Sequence, residues 1–144
     1  MIPMRSLAAM PITWEELASF EACTGGRAGA VVTFAGLVRA DQHGGKTVSA
    51  LDYEAYPDMA ERQIERLAAE AQVRWPLQAL SVRHRVGLVE AGEISVAVMV
   101  AAPHRAEAYA ASQFLIEGIK REVPIWKHEC YEESEVMGGL HADV

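Results

Sequence analysis

ISVAVMVAAPHRAEAYAASQFLIEGIKREVPIWK, from Ile94 to Lys127, reads as a complete strand–helix–strand unit. Ile94 to Ala102 is a mostly apolar run of strand length, far too short to span a bilayer, and Pro103 stops it. Beyond it Ala108, Ala111, Leu115, Ile116 and Ile119 recur at helical spacing until Pro124 closes the helix, and Ile125 to Glu132 reads as a last strand. Upstream, Leu80, Val82, His84 and Val86 alternate against Ser81, Arg83 and Arg85, the period of a half-buried strand, and Glu90 to Glu93 forms a turn. Pro57 suits the first turn of a helix in which Met59, Ile64, Leu67, Ala68 and Ala71 share a face as far as Trp75-Pro76.

Further out, Ala28 to Arg39 is rich in β-branched residues, with Gly29 and Gly36 marking bends or close backbone approach. A turn over Asp41 to Lys46 leads to a strand from Val48 to Glu54, predicting a hairpin in which Val48, Ala50 and Tyr53 compete for the buried face. Thr13 is an N-cap for a short helix that ends near Gly25-Gly26, and a mobile tail is expected over about residues 134–144. The order α, β, β, α, β, β, α, β with short connections predicts one α+β domain over residues 1–144, with three helices and mainly antiparallel pairing.

A chain of 144 residues, 51% hydrophobic and 23% charged, is large enough for one buried core. A net charge of −7 disfavours general binding to nucleic acid or anionic membranes, so an anionic ligand requires a local basic cluster. Cys23 and Cys130 stand alone without metal-ligand spacing, which predicts reduced thiols in a cytoplasm and no metal site; His128-x-Cys130 lacks two further ligands. No nucleotide-binding glycine motif, nucleophile elbow or zinc-protease motif occurs.

What remains is a set of cations at predicted element ends: Arg39, His104-Arg105, Lys120 and Lys127. His104 and Arg105 open a helix, where free N–H groups and the dipole favour an anion; the plain alternative is an N-cap beside a solvated arginine. Lys120 in the last helical turn is explained by the dipole alone, and Lys127 by cover for Trp126. If Pro124 turns both amines into one dry recess, desolvation and repulsion would lower their pKa values and make neutral amine available. The acidic run Glu132 to Glu135 reads as a solvated face.

GAVVTFAGLVR (Gly29 to Arg39), YEAYPDMAE (Tyr53 to Glu61), RWP (Arg74 to Pro76), HRVG (His84 to Gly87), the His104-Arg105 pair and IKREVPIWKHE (Ile119 to Glu129) together resemble, in register, the catalytic large subunits of molybdopterin synthase. The resemblance implies an α/β-hammerhead type fold. It also implies a sulfurtransferase that builds the dithiolene of molybdopterin on cyclic pyranopterin monophosphate, with no cofactor on this chain. Sulfur would come from the C-terminal thiocarboxylate of a small ubiquitin-like subunit ending in Gly-Gly, and the large subunits would form a homodimer within a heterotetramer. On the same basis Lys120 and Lys127 would be catalytic. Arg39, His104 and Arg105 would hold the phosphate, Phe34 would pack on the pterin unless it belongs to the core, and His128 and Glu129 would extend the substrate-contacting strand. Leu37 stands where a basic residue often occurs in the family, and no Arg or Lys follows Lys127 to complete a neighbouring subunit's site. Two other readings compete: a binding module of this fold without turnover, and an unrelated phosphate-ester-binding α+β protein.

Overall fold

In the computed structural model, which describes residues 6–20 and 25–132, β7 (Ile94–Ala102) is the organising element. All nine of its residues are buried because both faces are covered, which is why its sequence shows no alternation. Val98 and Val100 join Ile64, Leu67 and Leu115 on one side, beneath α2 (Pro57–Arg74) and α3 (Arg105–Glu122). Ala97, Met99 and Ala101 face the other way, onto Ile12, Phe20 and Leu17 of α1 (Trp14–Ala18). Thr13 caps α1 by accepting the Glu16 N–H at 3.1 Å, as its sequence position predicts.

β7 is flanked by β5 (Ala79–Arg85) and β2 (Ala30–Leu37), both antiparallel to it, and β1 (Leu7–Ala8) adds to β5 in parallel, giving the order β1-β5-β7-β2. A second sheet is built on β4 (Lys46–Ala55), with β3 (Gln42–His43), β6 (Gly87–Glu90) and β8 (Ile125–Tyr131) all antiparallel to it. The architecture is α+β with three helices, as expected.

The expected hairpin between the strand ending at Arg39 and that beginning at Val48 does not form. β2 pairs with β7, and the hairpin is the smaller β3–β4 turn, where Gly44 and Gly45 supply φ of 61° and 82°. Pairing with the central, buried β7 satisfies the backbone hydrogen bonds of β2 in register from Ala30 to Leu37. Competition for the buried face of β4 is resolved by an irregularity between Val48 and Ala50, which lets Val48 share a core with Leu51, Tyr53, Val38 and Val89.

Arg85, expected on the solvent face, is buried. Its guanidinium donates to the carbonyls of Ala8 at 3.2 Å, Ala9 at 3.3 Å and Leu88 at 3.2 Å, so it fastens β1 and the start of β6 to the end of β5. Met59, expected on the inner face of α2, is exposed; Ala60, Ile64, Leu67 and Ala71 are the buried stripe. The expected mobile tail from 134 onward and Cys23 lie outside the described residues.

Candidate active site

The two sheets meet at the C-terminal end of α3, and a cleft of about 230 Å³ opens there. Phe34 and Leu37 of β2 form one side, with Arg39 and Asp41 just beyond the strand. Leu51 and Tyr53 of β4 and Lys127 and Glu129 of β8 form the other, and Lys120 enters from α3. Strand register explains the second wall: Lys127 lies opposite Tyr53 and Glu129 opposite Leu51, so alternation aims all four side chains to one face. Lys120 also borders an open depression of about 360 Å³ on the surface of α3, with Ile116, Glu117 and Arg121.

The convergence of the lysines follows from the end of α3. Val123 ends the helix in an extended conformation, and the Tyr56 N–H donates to the Pro124 carbonyl at 3.4 Å, docking the turn onto the entrance to α2. The chain then returns as β8, carrying Lys127 back past Lys120. Neither amine makes an ion pair or hydrogen bond within the described residues. The Lys120 amine is held below its ordinary pKa, first by burial and second by the charge of Lys127.

Behind Lys120 lies His84, buried, with its ring edge-on to Tyr53 at a centroid distance of 5.1 Å. Its Nδ1 is 2.8 Å from the Arg85 carbonyl; a carbonyl only accepts, so Nδ1 carries the proton and the imidazole is neutral. Burial pushes its pKa down to about 4, against the opposing effect of that hydrogen bond and reinforced by the charge of Lys120. His84 was legible as an inward-facing residue; its nearness to Lys120 was not, since 36 positions of chain order carry no distance.

Phe34 is 38% exposed and lines the cleft instead of filling the core, because β2 is the edge strand of its sheet. Arg39 is tied only loosely, 3.4 Å from Asp41 with the guanidinium side chain 82% exposed, so it is available to an anion. His128, expected along the substrate-contacting face, is on the opposite face of β8, where its Nε2 meets Glu54 Oε1 at 2.8 Å. Strand alternation allows Lys127 and Glu129 to share the cleft and excludes the residue between them.

His104 and Arg105 do not join this cleft within one chain. They open α3 while Lys120 lies in its last turn, about 22 Å away along the axis at 1.5 Å per residue. The Glu107 carboxylate accepts the His104 backbone N–H at 3.2 Å and lies 3.3 Å from its Nδ1. Among the described residues, no cluster of three or more His, Cys, Asp or Glu is placed to hold a metal ion.

Comparison with known proteins identifies the family and the fold. Residues 7–122 match the family model described as MoaE protein. A molybdopterin synthase catalytic subunit from Mesorhizobium japonicum is 50% identical over 127 residues, covering 87% of this chain and 78% of that protein. The solved molybdopterin synthase from Staphylococcus aureus superimposes with a TM-score of 0.82 at 36% identity, over 93% of this chain and 96% of the other. At 21% identity, the fold is shared with a chain in the Helicobacter pylori complex of subunits 1 and 2 of molybdopterin-converting factor, with a TM-score of 0.75 over 96% of this chain and 93% of that one.

Proposed function

The chain belongs to the MoaE family, the catalytic subunits of molybdopterin synthase, and from that footing we propose that the cleft holding Lys120 and Lys127 is where sulfur is transferred. The chain is a sulfurtransferase of molybdopterin synthesis. The observation that carries the site is that two lysines from different elements converge on one recess without a carboxylate partner among the described residues. Two uncompensated ammonium groups repel each other, so the arrangement is stabilised when an anion enters.

Both reactants of the implied reaction are anions: cyclic pyranopterin monophosphate carries a phosphate, and the sulfur carrier a C-terminal thiocarboxylate. Arg39, exposed at the cleft mouth, is placed to take a phosphate with its planar fork. Phe34 offers a ring face for the pterin. Lys120 supplies an ammonium to stabilise charge as sulfur adds, and its lowered pKa makes that ammonium a readier proton donor. The partner is a small ubiquitin-like subunit whose Gly-Gly tail is slim enough to enter a cleft of about 230 Å³. A two-subunit complex containing a chain of this fold in Helicobacter pylori supports such an assembly.

The family resemblance gives His104 and Arg105 an anion-holding role, yet they stand at the far end of α3. A homodimer in which the pair of one subunit reaches the cleft of the other would reconcile role and position.

The test combines the protein with thiocarboxylated small subunit and cyclic pyranopterin monophosphate, and detects molybdopterin as its fluorescent oxidation product. Lys120→Ala is expected to lower turnover by roughly a hundredfold or more, the cost of losing a charge stabiliser in a desolvated site. Undiminished activity in that variant would overturn the assignment.

A further inference from the structure

Lys127, Glu129 and Tyr131 follow one another along one face of β8, each separated from the next by about 6.6 Å of strand. A carboxylate so near an uncompensated ammonium, in a cleft that Lys120 and Arg39 make more positive, has every electrostatic reason to swing onto Lys127. It is held elsewhere. The Tyr131 hydroxyl donates to Glu129 Oε1 in a short hydrogen bond, and His43 Nε2 lies 3.5 Å from Glu129 Oε2.

The two holding groups brace each other. The His43 ring meets the Tyr131 ring edge-on at 6.4 Å, and the Lys46 ammonium stands 5.9 Å from the centre of the Tyr131 ring. His43 reaches this position because the Gly44-Gly45 turn folds β3 back on β4. Glu129 in turn holds the Tyr131 phenol above its usual pKa, first through the hydrogen bond, so the hydroxyl remains a donor.

Resting on the reading of the cleft as the substrate site, we propose that His43 and Tyr131 are positioning residues that hold Glu129 off Lys127. They thereby keep the positive charge of the cleft available to an anionic substrate. No bond is made or broken by this clamp; its effect is on binding. Once released, Glu129 becomes an internal anion competing with the substrate for Lys127, and a saturating substrate displaces it.

The experiment uses the full chain with its thiocarboxylated carrier and measures kcat and KM for cyclic pyranopterin monophosphate in the double variant His43→Gln/Tyr131→Phe. The expected result is a KM raised roughly two- to fivefold, the worth of one partly exposed ion pair, with kcat nearly unchanged. A crystal structure of the variant should show Glu129 on Lys127. An unchanged KM in a folded variant, or a fall in kcat alone, would overturn the clamp while leaving the cleft assignment standing. Full activity of Lys120→Ala would instead remove the cleft assignment. Should the double variant fail to fold, Tyr131→Phe alone, which deletes one hydroxyl and keeps the ring, is read by the same two constants.

Discussion

Two penalties on the charge of Lys120 add, burial and the neighbouring charge of Lys127, and they are separable by mutation. In Lys127→Gln the repulsion disappears while burial remains, so the Lys120 pKa rises toward its ordinary value. The rate of Lys120 acylation by an amine-selective reagent, followed by mass spectrometry across pH, should then reach half-maximum at higher pH than in the parent chain. An unmoved profile would mean that the two amines do not sense each other. His84 makes the opposite demand, because it must stay neutral. Its pKa in the fold is about 4 against an ordinary 6.5, so below pH 6.5 the unfolded chain binds a proton that the folded chain refuses. Stability is therefore full above pH 6.5 and falls through the window down to 4, by about 3 kcal/mol at its lower end. His84→Gln, which has a side-chain amide for the Arg85 carbonyl, should be less stable than the parent at pH 7. Its urea midpoint should nevertheless change less between pH 7 and pH 5, where this histidine costs the parent about 2 kcal/mol.

At the scale of elements, the approach of α2 to α3 rests on a glycine. A Cβ at Gly118 would lie 2.7 Å from Leu67 Cδ2 and 3.1 Å from Cδ1, and Leu67 is wholly enclosed in the core. Alanine is worth about 1 kcal/mol over glycine in a helix interior, so a helix taken alone would gain from Gly118→Ala. Overpacking reverses the sign: a net loss of about 1–2 kcal/mol is expected from denaturant unfolding. In a Leu67→Ala background the clash is gone and the same substitution should become stabilising, a coupling that a double-mutant cycle reads directly. Gly118 is two positions from Lys120, so this close contact also sets how the end of α3 meets the cleft. Gly29 is tighter still, since a Cβ there would stand 2.1 Å from the backbone oxygen of Pro103. Gly29 and Gly36, where a Cβ would lie 2.8 Å from Val96 Cγ1, were both legible as points of close approach. The glycine in the helix carried no such signal, because helical spacing says which face is buried and not how near the neighbouring helix comes.

For the whole molecule, the length of α3 decides how sites can be shared. If His104 and Arg105 of one subunit serve the cleft of another, mixing and reassociating a Lys120→Ala chain with an Arg105→Ala chain creates heterodimers with one intact site each. About a quarter of parental activity is then expected from two inactive parents, since half of the dimers are mixed and each restores one of two sites. No recovery from two inactive parents would require the pair to act within its own chain, whereas an Arg105→Ala chain that is active by itself would place the pair outside catalysis. Reassociation is read independently by native mass spectrometry, so a failure to exchange subunits is not mistaken for that outcome.

Local chemistry determined much of this protein from sequence. Proline stops, helical spacing and Thr13 located the three helices; β-branched runs located the long strands; and the stretch through Lys127 pointed to the family. These features depend on neighbours a few residues apart, whose geometry the backbone dictates. Tertiary structure alone decided that β2 leaves its sequence neighbour for β7, and that Arg85 is buried by a β1 segment 77 residues away. It also separated His104 and Arg105 from a cleft they were expected to share, and brought His43 to Glu129. Each of these outcomes turns on which surfaces are removed from water together, a competition among distant segments that no local pattern of residues records.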